Sequence, residues 1–223
     1  MPTDRDDAQA WNARFAQPGF FFGTEPNAFL VRHVELLTPG QSVLAVADGE
    51  GRNGVFLAER GMTVTSFDIS DVAVRKAVAL ATARGVAVDT HLDSIDTWEW
   101  QPERFDAVVA IFIQFAPPDV RDRAFAGMLR TVRRGGLVLL QGYTPRQLEF
   151  GTGGPPFVEH MYTADLLRTA FADHDVMVLD EHDAHVAEGT GHHGMSALID
   201  CVVRKGPADP GRLSPGRGGS PRG

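Results

Sequence analysis

A glycine-rich turn is the stretch of this sequence best suited to ligand chemistry. The apolar run 42–47 is followed by Gly49-Glu50-Gly51-Arg52-Asn53-Gly54, after which apolar residues resume at helical spacing over 55–60. A strand, a glycine turn and a helix N-terminus bring unpaired backbone N–H groups to one point, and glycines let a ligand approach the backbone closely. The sequence therefore predicts a site for an anionic or nucleotide-like ligand at this turn.

The turn satisfies the G-x-G-x-x-G pattern of dinucleotide-binding folds. Asp68 ends the next predicted strand, 17 residues after Gly51, where a carboxylate can accept both hydrogen bonds of a ribose diol or, alternatively, cap the following helix. The only lysines are Lys76 and Lys205, and neither stands four residues after a tyrosine. Since the Tyr-x-x-x-Lys pair of short-chain dehydrogenases is therefore absent, an NAD(P)-binding oxidoreductase stays as the alternative interpretation.

From Ser42 onwards, segments with strand-like and helix-like apolar spacing alternate. In chain order we expect strands at 42–47, 63–68, 88–92, 105–111 and 136–141, and helices at 53–60, 71–84 and 118–132. This alternation predicts an α/β fold, with a mostly parallel sheet and helices on both faces. After a long loop and a helix at 163–171, strands 175–182 and 196–204 are separated only by a loop, so they should pair antiparallel.

Both ends of the chain depart from this pattern. We interpret residues 1–40 as a helical lid segment, with a helix at 8–15, an aromatic turn at 20–23 and a helix at 28–37 capped by Asn27. Residues 41–206 then form the main domain. The tail 207–223 is rich in Pro, Gly, Ser and Arg, and we expect it to be disordered because it has little apolar surface to bury.

Composition excludes several classes of partner. A formal net charge of -8 argues against a nucleic-acid surface. No apolar run approaches the ~18 residues that a membrane span needs, and the N-terminus is acidic where a secretory signal would be basic. A single cysteine, Cys201, lies in an apolar strand and is expected to be a buried thiol. We expect a cytoplasmic protein, monomeric or homodimeric, acting on a small molecule.

The residues around the turn resemble a known family. Residues 43–53, Val-Leu-Ala-Val-Ala-Asp-Gly-Glu-Gly-Arg-Asn, are similar to motif I of class I S-adenosylmethionine-dependent methyltransferases, in particular the tellurite-resistance and thiopurine-methyltransferase-like branch. The segments 11–15, 22–27 and 142–147 and the run Glu188-Gly189-x-Gly191-His192-x-Gly194 resemble the same branch. The resemblance implies a Rossmann-like seven-stranded sheet whose last strand is antiparallel.

The resemblance also implies S-adenosylmethionine as the cofactor. The cofactor contacts that we expect are Phe22, Ala47, Asp48, Gly49, Gly51, Asn53, Asp68, Ile69, Asp93, Ser94 and Ile111. In this sequence Ala45 replaces the usual motif I acid and Ala47 the usual first glycine, while Asp48 stands where many relatives carry cysteine. The two alanines keep open a third class, a non-catalytic protein that binds an adenosyl ligand.

The candidate catalytic residues are Tyr143, His192 and Gln114. Gln114 follows the fourth predicted strand and either faces the transferring methyl group or caps the next helix. Loops at the same sheet edge carry the substrate-facing set Tyr143, Thr144, Gln147, Tyr162 and His192. A soft nucleophile such as a thiolate, selenide or halide needs no general base, whereas for an oxygen or nitrogen acceptor His192 or Tyr143 could serve. The late histidines show no tight ligand spacing, so no metal site is predicted.

Overall fold

The computed structural model describes residues 4–206, and side chains from residue 7 onwards. Seven strands form one sheet in the order β3-β2-β1-β4-β5-β7-β6. The strands are β1 (Ser42–Val46), β2 (Thr63–Asp68), β3 (Val88–Leu92), β4 (Phe105–Ile111), β5 (Val132–Tyr143), β6 (Asp175–Glu188) and β7 (His192–Arg204). The first five are parallel to one another, while β7 is antiparallel to both β5 and β6. The predicted α/β fold and its terminal antiparallel hairpin are confirmed.

Helices precede the sheet and cover both of its faces. They are α1 (Asp4–Phe15), α2 (Ala28–His33), α3 (Arg52–Glu59), α4 (Asp71–Arg84), α5 (Pro118–Thr131), α6 (Gln147–Phe150) and α7 (Ala164–Ala170). The side chain of Asn27 caps α2 by accepting from the Leu30 N–H, and Ser70 caps α4 by accepting from the Ala73 N–H. These caps fix where each helix begins relative to the strand before it.

Several sequence-based boundaries are wrong: α1 begins at Asp4 and not at residue 8, and β5 runs over Val132–Tyr143 and not over 136–141. The helix expected at 28–37 ends at His33 and continues as a 3-10 turn, Val34–Leu36. The loop expected at 183–195 is instead the paired outer half of the β6–β7 hairpin, with Ala184 opposite Ser196 and Glu188 opposite His192. Polar residues crowd both strands there because β6 is the edge of the sheet, and this masks the period-two alternation of a half-buried strand.

Two apolar cores lie on opposite faces of the sheet. One contains Phe67, Phe125, Met128 and Tyr162 under α5 and α7. The other contains Phe29, Ala45, Phe56 and Val202 under α2 and α3, and the turn between β1 and α3 lies on this side. Among the described residues no helix is long and apolar enough to cross a membrane. The tail 207–223, for which we predicted disorder, lies outside the described residues.

Candidate functional site

The turn between β1 and α3 is held in left-handed backbone conformations. Gly49 has φ of 59° and Gly51, the residue that precedes α3, has φ of 89°. A Cβ atom at Gly51 would lie 2.7 Å from the Cβ of Ala77 on α4, so only glycine lets the two segments approach. The packing of α3 and α4 thus fixes the path of the turn and the direction of its N–H groups.

Ala47 occupies a conformation that favours glycine. It has φ of 48°. An L-residue in the left-handed region raises the free energy of the folded state by roughly 1–2 kcal/mol. Glycine avoids this strain, but its greater loss of conformational entropy on folding costs roughly 0.5–1 kcal/mol. We expect Ala47→Gly to raise the free energy of unfolding by about 0.5–1 kcal/mol, measured by urea unfolding. As a control, Ala107→Gly in the buried strand β4 should lower it. An Ala47→Gly variant less stable than the wild type would contradict this interpretation.

Asp68 lies at the carboxyl end of β2 and reaches the glycine turn. It is 7% exposed; its Oδ2 accepts from the Gly49 N–H at 2.9 Å and its Oδ1 from the Ser70 N–H at 2.9 Å. Burial raises the pKa of Asp68 to about 6, although these backbone hydrogen bonds oppose the shift. At neutral pH the group is therefore an ionised acceptor at the sheet edge where ligands bind in open α/β folds.

Asp48 steadies the first turn of α3. Its half-buried side chain accepts from the Gly54 N–H at 3.0 Å, which places a carboxylate near the positive end of the helix dipole. Burial raises the pKa of Asp48 to about 7, against the opposing effect of the Gly54 hydrogen bond. Ala45, at the position of the usual motif I acid, is buried in the core. Asp48 thus supplies a carboxylate that holds the loop three residues beyond that alanine.

Glu50 ties the N-terminal aromatic segment to the turn. Its carboxylate is buried and accepts from the Phe21 N–H at 2.6 Å and the Phe22 N–H at 3.4 Å, and it forms an ion pair with Lys76 at 2.8 Å. Lys76 also donates to the carbonyl oxygens of Gln17 and Gly19. The segment 17–22 is therefore anchored over the glycine turn by one acidic and one basic side chain.

We expect Glu50→Gln to loosen this aromatic segment. Hydrogen bonds to a charged acceptor contribute about 1.5–3 kcal/mol, so the amides of Phe21 and Phe22 should exchange with solvent at least about tenfold faster in the folded variant. Hydrogen exchange measured by NMR checks this, with Glu59→Gln at the far end of α3 as the control. Unchanged exchange at both amides would show that Glu50 does not hold the segment.

Aromatic rings from the lid segment cover the turn. Phe15 is 2% exposed and lies where it would be 3.5 Å from a Cβ on Gly49. Its ring is 5.4 Å from that of Trp11 and 6.0 Å from that of Phe22. Phe22 in turn lies 4.5 Å from the ring of His192. Of the aromatic residues considered from sequence, Phe22 is thus the one that joins the lid segment to the β6–β7 hairpin.

The other residues predicted to contact the cofactor lie along the same edge. The Asp93 N–H donates to the Asp68 carbonyl oxygen at 3.1 Å, and the Asp93 carboxylate accepts from the Ser94 N–H and the Thr97 hydroxyl. Asp93 therefore closes its own turn and retains acceptor capacity toward the edge. The side chains of Ile69 and Ile111 are partly buried. The structure brings these residues together, and their cofactor contacts stay predictions.

Asn53 connects the turn to α2. Its side-chain oxygen accepts from the Asn27 N–H at 2.9 Å, while the Asn27 side-chain amide donates to Gln141 at 2.7 Å and to Glu188 at 3.0 Å. The expected role of Asn53 as a cofactor contact is thus accompanied by a structural one. The hydrogen bonds run from the turn through the lid segment to the hairpin.

A buried polar cluster stands beside the turn, at the ends of β5, β6 and β7. Arg52 Nη2 donates to Glu188 Oε2 at 2.6 Å, and His192 Nδ1 lies 3.8 Å from the same oxygen. The ring of His192 lies 5.8 Å from that of Tyr143, and that of Phe112 is 4.6 Å from Tyr143 and 4.5 Å from His192. Phe112 has φ of 56°, a strained conformation of the kind found at functional sites.

The charges of this cluster can be assigned. Burial alone would raise the pKa of Glu188, but neighbouring His192 and Arg52 outweigh it and hold the value at about 2. Burial lowers the pKa of His192, partly offset by Glu188. Burial and the Glu188 charge both raise the pKa of the Tyr143 phenol. At neutral pH the cluster thus contains an Arg52–Glu188 ion pair, a neutral imidazole and a protonated phenol.

The capping role considered for Gln114 is wrong, because α5 has no side-chain cap. The Gln114 amide donates to the Tyr143 carbonyl oxygen at 2.8 Å and accepts from the Tyr143 N–H at 2.6 Å, so the side chain is held by the backbone of β5, and its role toward the methyl group stays a prediction. Tyr162 is also misplaced: it is fully buried in the core beneath α5, on the other face of the sheet. Gln147 uses its side chain to hold Thr152, Gly153 and Ala197, and buried Thr144 pairs through its backbone with Ala197.

Arg52 and Glu188 are site residues for which the sequence suggested no role. Both stand inside motifs that carried the family resemblance, but they are 136 residues apart, and no local spacing connects them. Cys201 is fully buried and burial raises the pKa of its thiol to about 12, so the expected buried thiol is confirmed. Within the described part of the chain, no group of three or more His, Cys, Asp or Glu residues could hold a metal ion.

Comparison with known proteins agrees with this arrangement. Residues 43–136 match the family described as a methyltransferase domain. An uncharacterized protein from Mycobacterium tuberculosis (strain ATCC 25618 / H37Rv) is 32% identical over 107 residues, which are 48% of this chain and 38% of that protein. The matched part thus spans less than half the length of that relative.

Solved structures of low sequence identity share the fold. N-methyltransferase NodS from Bradyrhizobium japonicum WM9, in complex with S-adenosyl-l-homocysteine, superposes with a TM-score of 0.66 at 13% identity over 89% of this chain and 97% of that one. TehB from Haemophilus influenzae superposes with a TM-score of 0.66 at 17% identity, over 80% of this chain and 62% of that one. The [4+2]-cyclase SpnF superposes with a TM-score of 0.66 at 18% identity, over 92% of this chain and 98% of that one. At these identities the likeness establishes the fold alone.

The strand order, the antiparallel β7 and the glycine turn after β1 define a Rossmann-like fold of the methyltransferase type. Residues 43–136 match a methyltransferase domain, and the fold is shared with a solved S-adenosylmethionine-dependent methyltransferase from Methanosarcina mazei. S-adenosylmethionine is the cofactor of this class, and the residues present fit it. The buried carboxylate of Asp68 ends β2, and a second acid, Asp93, directly follows β3 at the same edge of the sheet.

Proposed function

We propose that this protein transfers a methyl group from S-adenosylmethionine to a small molecule that reacts through a soft nucleophile, such as a thiol, a selenium or tellurium species or a halide. The observation that supports it best is the position of Asp68, whose ionised carboxylate accepts from the Gly49 N–H of the glycine turn and from the Ser70 N–H at the start of α4, at the ligand-binding edge. Residues 41–206 are the proposed catalytic domain and residues 1–40 its lid, with the site residues drawn from both. The resemblance to the tellurite-resistance branch supports this acceptor class.

The cofactor supplies an electrophilic methyl group on a sulfonium. A thiolate acceptor would take this methyl group, and the cofactor would leave as S-adenosylhomocysteine. The protein has to align the reactants and exclude water. The rings of Phe15, Phe22 and Phe112 provide the apolar wall for this task.

Proton transfer, where an acceptor requires it, falls to His192 and not to Tyr143. Burial lowers the pKa of His192 and keeps the imidazole neutral at pH 7, so one of its two ring nitrogens can accept a proton. The phenol of Tyr143 is held protonated because burial raises its pKa. We therefore propose Tyr143 as a hydrogen-bond donor, in place of the general-base role considered from the sequence.

A panel of acceptors tests this proposal. Thiols, halides, selenium and tellurium oxyanions and small phenols are each incubated with the full chain and S-adenosylmethionine, and release of S-adenosylhomocysteine is followed. We expect the thiol or chalcogen group to exceed the phenols in kcat/KM. Turnover confined to phenols or amines would overturn the soft-nucleophile assignment while leaving methyl transfer intact.

An alternative is a protein of the same fold that binds an adenosyl ligand without methyl transfer. Ala45, at the position of the usual motif I acid, is the feature that favours it. Tight binding of S-adenosylhomocysteine combined with no turnover across the whole panel would support this alternative.

A further inference from the structure

Three buried polar groups beside the glycine turn lack hydrogen-bond partners. They are Arg52 Nη1, Tyr143 Oη and His192 Nδ1, on side chains that are 7%, 1% and 9% exposed. Buried polar atoms are almost always satisfied, so each unpaired group requires an explanation such as water, an ion or a ligand. Here all three belong to one cluster at the ends of β5 and β7 and the start of α3.

The three groups surround a common region. Arg52 and His192 both approach the same oxygen of Glu188, at 2.6 Å and 3.8 Å. Tyr143 packs beside His192, and the charges of Arg52 and Glu188 both act on its phenol. Phe22 and Phe112 wall the imidazole at ring distances of 4.5 Å.

The available hydrogens favour an anion. The second nitrogen of the Arg52 guanidinium can only donate, and the protonated Tyr143 phenol is a donor without an acceptor. Arg52 interacts with the carboxylates of Glu188 and Asp48, so the unpaired donors, and not an excess of positive charge, favour an anionic acceptor.

We infer that Arg52 Nη1 and Tyr143 Oη, with His192 beside them, form a subsite for the carboxylate of the methyl acceptor. This inference rests on the proposed function and narrows its acceptor to a small, flat carboxylate-bearing molecule, since aromatic rings enclose the site. A carboxylate takes the forked donors of arginine and a phenol hydroxyl together, and the charge-assisted bonds so formed are strong.

Benzoate, with neutral benzamide as its isostere, probes the subsite directly. Both are titrated by calorimetry into the full chain, with and without saturating S-adenosylhomocysteine. We expect benzoate to bind at least about tenfold more tightly than benzamide, because hydrogen bonds to a charged group are involved. Tyr143→Phe, and Arg52→Gln combined with Glu188→Gln so that no charge is left unpaired, should each weaken benzoate binding at least about tenfold.

A matched control lies on the opposite face of the sheet. Tyr162 has an equally buried hydroxyl without a partner, so Tyr162→Phe should leave benzoate binding unchanged. Equal affinity for benzoate and benzamide, or the same benzoate affinity in all variants, would overturn the subsite and indicate that water satisfies these groups. Variants that weaken S-adenosylhomocysteine binding and leave benzoate binding unchanged would also overturn it, because the anion would then be the carboxylate of the cofactor.

A different result would contradict the proposed function without contradicting the subsite. Absence of S-adenosylhomocysteine binding would refute it, while the benzoate titration of the cofactor-free protein would still report on the subsite. In the activity assay, 2-mercaptobenzoate should exceed thiophenol in kcat/KM at least about tenfold, and Tyr143→Phe should remove that preference. Benzoate binding without turnover of either thiol would support the subsite and count against a thiol acceptor.

Discussion

Asp68→Asn is expected to weaken S-adenosylhomocysteine binding at least about tenfold. The carboxylate at the end of β2 is positioned to accept from a ribose diol, and a lost hydrogen bond to a charged group corresponds to about 1.5–3 kcal/mol. Asp68 now accepts hydrogen bonds from the backbone N–H groups of Gly49 and Ser70. The amide of asparagine would direct its own N–H hydrogens at one of these two donors. Isothermal titration calorimetry measures the effect, with Asp89→Asn on exposed β3 as the control.

The same residue should give binding a distinctive pH dependence. Since the pKa of Asp68 is about 6 in the folded protein and only its ionised form accepts both hydroxyl hydrogens, affinity should be full above pH 7. Below pH 6 it should fall by up to about tenfold per pH unit, the limit for loss of one ionised group. The Asp68→Asn variant should lack this dependence. Wild-type affinity in the variant, or the same pH profile in both proteins, would exclude Asp68 from the binding site.

Glu188→Ala is expected to lower the free energy of unfolding by about 3 kcal/mol. Breaking one partner of a buried ion pair leaves an uncompensated charge, which costs about 3–5 kcal/mol. Glu188 also accepts from the Asn27 amide, so the hairpin loses its connection to the lid segment as well. Urea unfolding measures the change, and Asp180→Ala, an exposed acid on the same strand, should change stability by less than about 0.5 kcal/mol.

A double-mutant cycle separates the ion pair from the loss of packing. The combined Arg52→Gln and Glu188→Gln variant should be more stable than either single variant, because no buried charge is then left unpaired. The pKa of Glu188 is held at about 2, below its ordinary value of 4.5. Its contribution is therefore present above pH 4.5 and lost as pH falls toward 2, and Glu188→Gln should remove that part of the acid sensitivity. Additive single-variant effects would contradict a buried pair.

The parallel half of the sheet could be predicted because its strands are buried on both faces. Short apolar runs such as 105–111 show this directly, and the caps at Asn27 and Ser70 mark the helix starts. The outer half of the hairpin could not be predicted, since β6 is an edge strand whose alternating side chains are largely polar. Its boundary depends on pairing between Glu188 and His192, which is visible only once the chain has folded.

The glycine turn and its carboxylate could also be predicted, because they depend on residues close together in the sequence. The polar cluster could not. Gln114 is committed to the backbone of Tyr143, 29 residues away, and Arg52 to a partner 136 residues away. Such contacts arise from tertiary packing, and neither residue type nor spacing indicates them. The left-handed backbone of Ala47 could be predicted in part, since Ala47 stands at a position where glycine is usual.

The affinities of two adenosine-containing ligands for the glycine turn test the assignment of this protein most directly. S-adenosylhomocysteine and NADH are titrated separately into the full chain by calorimetry, for the wild type and for Asp68→Asn. We predict that S-adenosylhomocysteine binds the wild type with one-site stoichiometry, that Asp68→Asn weakens it at least about tenfold, and that NADH gives no saturable binding. Saturable binding of NADH with none of S-adenosylhomocysteine would contradict the methyltransferase assignment and favour the oxidoreductase.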